Sequence, residues 1–343
     1  MVDLDRLLPP APAAPIDETG APRIGAFAGS MEAIDLSSLL GSGLGRAWRK
    51  TTRLKRWQYV MLASAEVIVA FAIVDIGYAG NAFCFVVDRQ TRQLLVEKSF
   101  LGLPGRSVQV GERPGVGARA DFNGGGAQMH FERVSSRYLG TVRIDPAVSL
   151  NFTLETAGAP EALSMVVPVT GGILNCTQKW AGLPLQGSLV VGGRRFDLNG
   201  GSGGLDYTHG LLARETLWRW GFGSGVTTEG EPLGFNLGEG FNASTPGENA
   251  FWHGEAPGCL PEVHFTFDRD QPLQPWHIQS ADGSVDLTFH GAGMHREQRN
   301  LLVARSRFVQ VAGAFSGKLR GRGGRVLQLD GLPGVVEDQY IRW

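Results

Sequence analysis

Residues 57–88 read WQYVMLASAEVIVAFAIVDIGYAGNAFCFVVD. Three apolar runs, 57–64, 66–76 and 82–88, are rich in Val, Ile and Phe, and small or polar residues such as Asp75, Gly77 and Gly80 cut them short. Branched and aromatic side chains fit the pleated surface of a sheet, so the runs predict β-strands joined by tight turns. The longest, Val67 to Ile76, is broken by Asp75 and has about half of the roughly 20 residues that a spanning helix requires. It reads as a buried strand, with no membrane span.

The same rhythm continues outward at 94–100, 126–133, 136–145 and 148–155. Such spacing predicts an all-β chain built as antiparallel meanders or barrels. The 49 glycines agree, because hairpins and barrel corners need positive φ, which glycine adopts at no steric cost. Upstream, residues 1–50 are rich in Pro, Gly and Ser with little periodicity and predict an extended N-terminal arm, with a short helix allowed near Leu36, Leu39 and Leu40.

At 343 residues the chain exceeds what one core ordinarily fills. An internal repeat supplies the division. Gly187 to Leu198 (GSLVVGGRRFDL) resembles Gly317 to Leu329 (GKLRGRGGRVLQL), with one extra residue in the second copy. Both predict hairpins. Continuing the register pairs Gly200 with Gly331, Gly203 with Gly334 and Asp206 with Glu337. The starts of the units match as Arg-x-x-x-Trp-x-aromatic, Arg53 to Tyr59 against Arg214 to Trp220. The expected organisation is an arm at 1–50, a first β-barrel-like unit at 51–212 and a second at 213–343. Their interface is a natural place for a small-molecule pocket.

Charge and cysteines bound the function. The formal net charge of −1 gives no field for nucleic acid. Cys84, Cys176 and Cys259 are odd in number and far apart, which suits neither a disulfide framework nor a zinc site and predicts a cytoplasmic location. The N-terminus, with Asp3, Asp5 and four early prolines, lacks the basic start and apolar core of an export signal.

Several segments together resemble a bacterial family described as domain of unknown function 2804: Lys55-Arg56-Trp57-x-Tyr59, Asp75 to Gly80, Leu205 to Gly210, Gly234-x-Asn236-x-Gly238, Glu248-Asn249-Ala250, Pro275-Trp276-x-Ile278, and Gly334-x-x-Glu337 with Trp343. The resemblance runs from about residue 15 to the end and carries no assigned activity. More distantly the layout is similar to the AttH-like and carotenoid 1,2-hydratase group. That likeness implies paired lipocalin-like antiparallel barrels and cofactor-free chemistry on apolar polyenes or terpenoids, by hydration or cyclisation. It is an analogy of fold and transfers no catalytic residue.

The densest chemical cluster is Asp206 to Trp220, where the first unit meets the second. Asp206 is the expected acid, because a carboxyl buried against tryptophans resists ionisation and so keeps a proton to donate. His209 and Tyr207 are its expected assistants, although in a strand Asp206 and Tyr207 face opposite ways and only a turn would bring both to one site. Trp218 and Trp220 share a face and offer π surfaces to a cationic intermediate; their alternative reading is a plug in the barrel. Asn236, Glu239, Glu248 and Asn249 are the expected polar lining of the second unit. Glu337, the repeat mate of Asp206, is expected to make a structural bond near Arg342.

Three motifs are discounted. Gly200 to Gly204 satisfies Gly-x-Ser-x-Gly without the strand-to-helix elbow that hydrolases need, and Gly41-Ser-Gly43-Leu-Gly45 lacks the strand and spacing of a nucleotide loop and reads as a linker. The basic run Arg46 to Arg56 reads as a solvated strand edge. The sequence therefore predicts an enzyme without cofactor or metal, acting on an apolar terpenoid, polyene or lipid by proton transfer as hydratase, dehydratase, isomerase or cyclase. The alternatives are a lipocalin-like carrier of a hydrophobic ligand and a scaffold in which the polar cluster ties the two units together. The oligomeric state is open.

Overall fold

The computed structural model describes residues 3–241, 247–300 and 305–343. The chain is all-β, two curled antiparallel sheets that form a barrel and a half-barrel. The first sheet contains β1 (Gly25–Ala28), β2 (Leu54–Ala63), β3 (Val67–Asp75), β4 (Gly80–Asp88), β5 (Gln93–Gly102), β6 (Val108–Val110), β7 (Arg119–Gly124), β8 (Ala127–Val134), β9 (Arg137–Ile144), β10 (Val148–Glu155), β11 (Leu163–Pro168), β12 (Leu174–Val191), β13 (Arg194–Asp197) and β14 (Gly201–Leu211). The second contains β15 (Glu215–Val226), β16 (Pro232–Gly240), β17 (Ala250–His253), β18 (Ala256–Cys259), β19 (Val263–Thr266), β20 (Trp276–Ser280), β21 (Val285–Asn300), β22 (Arg305–Arg320) and β23 (Val326–Arg342). The seven runs read from the sequence fall on β2 to β5 and β8 to β10.

Strand order makes the relation between the sheets visible. The second runs β18-β17-β16-β15-β23-β22-β21-β20-β19, and the first contains the matching path β5-β4-β3-β2-β14-β12-β10-β9-β8. The glycines matched by the repeat carry matched conformations: Gly200 and Gly331 have φ of 73° and 72°, and Gly187 and Gly317 have φ of 148° and 126°. At the last two a Cβ would lie 2.2 Å from the Asn151 carbonyl oxygen and 2.3 Å from that of Asp286, so only glycine lets each long strand pass its neighbour.

Burial explains the composition of the strands. In β8 to β10 buried residues largely alternate with more exposed ones, as in a sheet with one wet face, whereas β2 and β3 are buried along almost their whole length. The apolar core around them continues into the second sheet through Trp220, Phe222, Trp252 and Val335. At the junction the β12 and β16 backbones touch, because Gly234 has no Cβ to strike Ala181. The Ser224 hydroxyl accepts from the Gly182 amide at 3.0 Å and donates to the Gly203 carbonyl at 3.0 Å, joining the sheets.

Two expectations for the N-terminal region change. Residues 43–52 form a helix, α1 (Gly43–Thr52), rather than a linker, and Gly25–Ala28 pairs with β11 as an added strand. The basic run is split accordingly. Arg46, Arg49 and Lys50 sit on the exposed helix, Arg56 pairs with Asp75 at 2.7 Å, and Lys55 is fully buried with its Nζ donating to the Thr52 and Ile76 carbonyls. Among the described residues no helix is long and apolar enough to cross a membrane.

Candidate active site

A cavity of about 320 Å³ opens between the two sheets, walled mainly by apolar side chains including Tyr59, Phe83, Trp218, Trp220 and Phe308. Its floor is built on six central strands, three from each sheet. In the first sheet Asp206 of β14 lies between Tyr59 of β2 and Lys179 of β12; in the second, Glu337 of β23 lies between Trp220 of β15 and Gln310 of β22. The register therefore makes Asp206 and Glu337, Tyr59 and Trp220, and Lys179 and Gln310 three equivalent pairs.

The side chains keep this symmetry. Trp57 donates its indole N–H to Asp206 Oδ2 at 3.1 Å, and Trp218 donates to Glu337 Oε1 at 2.6 Å. The two indoles stack with ring centres 6.1 Å apart and planes 16° from parallel. Tyr59 and Trp220 meet edge to face at 5.1 Å. One position breaks the symmetry. Lys179 Nζ lies 2.7 Å from Asp206 Oδ1 and 3.4 Å from Glu248 Oε2, while its counterpart Gln310 gives Glu337 a neutral amide donor at 2.6 Å.

That difference separates the two acids chemically. Burial pushes the Glu337 carboxyl up to about 7, the nearby Asp206 charge adds to the rise, and the bonds from Trp218 and Gln310 with the Lys179 charge only partly oppose it. For Lys179 burial favours the neutral amine, yet Asp206 and Glu248 outweigh it and raise the ammonium above its ordinary value. Asp206 is thus held as one end of a buried ion pair, and Glu337 is the acid that resists ionisation. Tyr59, whose hydroxyl donates to Gln310 Oε1 at 3.2 Å, is raised well above the ordinary phenol by burial, then by Glu337 and Asp206.

The cluster read from the sequence is divided by strand geometry. Asp206 and Thr208 face the cavity, whereas Tyr207 and His209 project from the other face of β14. No turn intervenes, since Gly201–Leu211 is a continuous strand. The expected grouping of Asp206 with Tyr207 and His209 is corrected on this ground. Tyr207 donates to the Gly111 carbonyl at 2.8 Å, and its phenol is raised by burial. His209 lies 3.4 Å from the Tyr207 hydroxyl and is driven down to about 3 by burial, with the Arg56 charge in the same direction.

The other expected residues are placed as follows. Trp218, Trp220 and Glu248 line the cavity. Asn236 stands behind the wall, accepting from the Trp220 indole at 2.6 Å and donating to the Glu248 carbonyl at 2.9 Å. Asn249 ties Gly238 to Pro261 and does not line the cavity. Glu239 lies on the opposite face of β16 from that lining, 3.0 Å from Arg219 and 2.8 Å from His264. Glu337, expected near Arg342, instead faces the cavity. Gly238 has its own reason: a Cβ there would come 2.3 Å from Glu248 Oε1, so the glycine makes room for the carboxylate.

Lys179 is the residue that the sequence reading passed over. A signal exists, since it is the only charged residue between Glu161 and Arg194, in a segment otherwise apolar, small or neutral. A lone charge in a buried strand demands a partner.

Comparison with known proteins agrees with this architecture. The chain is similar to kievitone hydratase from Nectria haematococca, with 14% identity over 85% of this chain and 90% of that one and a TM-score of 0.54. It is also similar to CghA solved with Sch210972 (12% identity, 84% and 88% covered, TM-score 0.49) and to a putative AttH from Nitrosomonas europaea (12%, 91% and 97%, TM-score 0.40). At these identities the likeness is one of fold. No curated protein sequence matches the chain. A family model matches residues 12–343, and the chain belongs to the family described as domain of unknown function DUF2804.

Proposed function

We propose that this protein is a cofactor-free enzyme of the hydratase, isomerase or cyclase type that protonates an unsaturated apolar small molecule in the cavity between the sheets. The observation that carries the reading is the pair of repeat-related carboxyls that differ in charge partner: Glu337 keeps a proton near neutrality, and Asp206 is fixed in an ion pair with Lys179. A carboxyl that burial keeps protonated, beside one paired with an ammonium, suits the roles of proton donor and charge stabiliser. Glu337 delivers a proton to an alkene or carbonyl. The positive charge that develops is stabilised by Asp206, by Glu248 and by the faces of Trp218 and Trp220. Water then adds and gives its proton back to the Glu337 carboxylate, an internal π bond closes a ring and a neighbouring proton passes to that carboxylate, or loss of such a proton to it without ring closure completes an isomerisation, so that the acid is regenerated in each case. The hydratase named among the similar structures is consistent with such chemistry on this fold.

A carrier of terpenoids, polyenes or lipids would use the same apolar walls, but it has no need of buried ionisable groups that resist their own burial. The test is incubation of a panel of unsaturated terpenoids, polyenes and lipids with the protein in D2O. The expected result is deuterium at the protonated carbon of a turned-over compound, with the rate reduced about 10²- to 10⁴-fold in Glu337→Gln. A folded Glu337→Gln protein with full turnover would remove Glu337 from the mechanism. Compounds that bind and return without deuterium would favour the carrier.

A further inference from the structure

Helix α1 (Gly43–Thr52) has no buried residue. An isolated helix of ten residues is marginal in water and ordinarily takes its stability from packing an apolar face. Here that face is turned to solvent. Leu44, Ala47 and Trp48, spaced i, i+3 and i+4, share one side of the helix, with Leu44 92% and Trp48 70% exposed. A single exposed apolar residue needs no explanation, but a leucine and a tryptophan side by side on a helix that buries nothing form a face without its partner.

The remaining circumference is basic. Arg46, Arg49 and Lys50 are exposed and the helix contains no acidic residue. Among the described residues none of the three has a carboxylate within ion-pair distance. Arg49 reaches the Leu40 carbonyl at 3.4 Å, and the exposed Asp35 feels the Arg46 charge from a longer range. The helix also stands beside the opening of the cavity. Its Lys50 and Thr51 carbonyls press on Gly77, where a Cβ would lie 3.0 and 2.4 Å from them. Gly77 belongs to the turn between β3 and β4, whose Ile76, Tyr78 and Ala79 line the cavity. Tyr78 and Leu101, another lining residue, are themselves exposed to solvent.

We propose that α1 docks this protein on an anionic lipid bilayer. Leu44 and Trp48 enter the boundary between headgroups and acyl chains, where tryptophan is favoured, and Arg46, Arg49 and Lys50 meet the negative headgroups. Long basic side chains reach the headgroup layer from the flanks of a helix whose apolar side is inserted. A bilayer is favoured over a protein partner because the adjoining cavity is apolar and opens beside the helix: a ligand poorly soluble in water partitions into the membrane and passes from there to the opening. That passage rests on the cavity being the substrate site, as proposed above; the docking itself does not.

The test is flotation of the full chain with vesicles of phosphatidylcholine, either alone or with about one third phosphatidylserine. The parent should float with the anionic vesicles and be released by salt. Surface potential contributes about fivefold in affinity per cation, so Arg46→Gln with Lys50→Gln should weaken binding about 30-fold. Leu44→Gln with Trp48→Gln should weaken it about tenfold or more. All four side chains are exposed, so both variants should keep the parent's melting midpoint. Lipids brominated on their acyl chains should quench part of the parent's tryptophan emission, and Trp48→Phe should still float while losing that quenching. A parent that floats with neither vesicle, or equally with both, would overturn the proposal, as would undiminished flotation of the Leu44 and Trp48 double variant. Absence of flotation together with a dimer that this variant loses would assign the helix to a second copy of the chain instead. Flotation requires no turnover, so failure of the chemistry proposed for the cavity and failure of docking are read separately.

Discussion

At Glu337 and Asp206 one neighbour decides the chemistry. Both carboxyls accept an indole N–H from the stacked pair Trp57 and Trp218, and only Asp206 has an ammonium beside it. The consequence is measurable without a substrate. In the unfolded chain Glu337 ionises near its ordinary 4.5 and in the fold only near 7, so across that window the unfolded state loses its proton first and stability falls as pH rises. The loss amounts to on the order of 3 kcal/mol. Glu337→Gln should cancel this slope, gaining stability relative to the parent between pH 5 and above 7 in denaturant titrations; a difference that does not change with pH would contradict the assignment. His209 acts in the opposite sense. Its folded value of about 3 lies below the ordinary 6.5, so the unfolded state binds the proton over that range and stability rises with pH through it. Because His209 faces away from the cavity, His209→Ala should leave turnover unchanged. Lys179→Met strands two buried acids and should cost about 3–5 kcal/mol, part of which returns when Asp206→Asn is added. Additive losses in that cycle would show that the two residues do not interact.

At the scale of the elements, the repeat and the twofold alternation of strands account for most of the architecture. The runs that became β2 to β5 and β8 to β10 were legible because apolar and β-branched residues mark them and glycine or aspartate ends them. The correspondence of Gly187 with Gly317 was legible for a steric reason, a close passage of backbones that tolerates no Cβ. Gly187→Ala and Gly317→Ala should therefore each destabilise by roughly 1–3 kcal/mol or more, read as a lowered melting midpoint; a neutral effect at either would show that the strand can shift there. The same alternation that organised the strands dispersed the expected cluster. Residues adjacent in sequence within β14 point to opposite faces, so Asp206 met Thr208 and Trp57, and His209 met Tyr207 and the covering arm. The helix at 43–52 was missed because its glycines lower helix propensity and its apolar stripe, Leu44, Ala47 and Trp48, is short and left exposed; the hydrogen-bonded turn leading into β2 holds it.

For the whole molecule, one core cluster reaches across both sheets through Trp220, Phe222, Trp252 and Val335, and bonds such as Ser224 to Gly182 and Gly203, Tyr59 to Gln310 and Trp252 to the Glu161 carbonyl cross between them. Unfolding followed by tryptophan fluorescence and by far-ultraviolet circular dichroism should give coincident transitions. A segment of residues 213–343 expressed alone should fail to give a cooperative transition, because it would expose Trp220, Phe222 and Trp252; an independently stable segment would show that the sheets only touch. What the sequence by itself determined was the all-β class, the internal repeat and the equivalence of Asp206 with Glu337, since periodicity, turn residues and sterically forced glycines act locally and leave their mark in order along the chain. What only the tertiary structure decided was which acid stands beside an ammonium and which has its carboxyl pushed up by burial. That depends on Lys179, Gln310, Trp57 and Trp218, brought from separate strands to within hydrogen-bond distance in a buried cavity, where the energy of a charge is set by its neighbours in space.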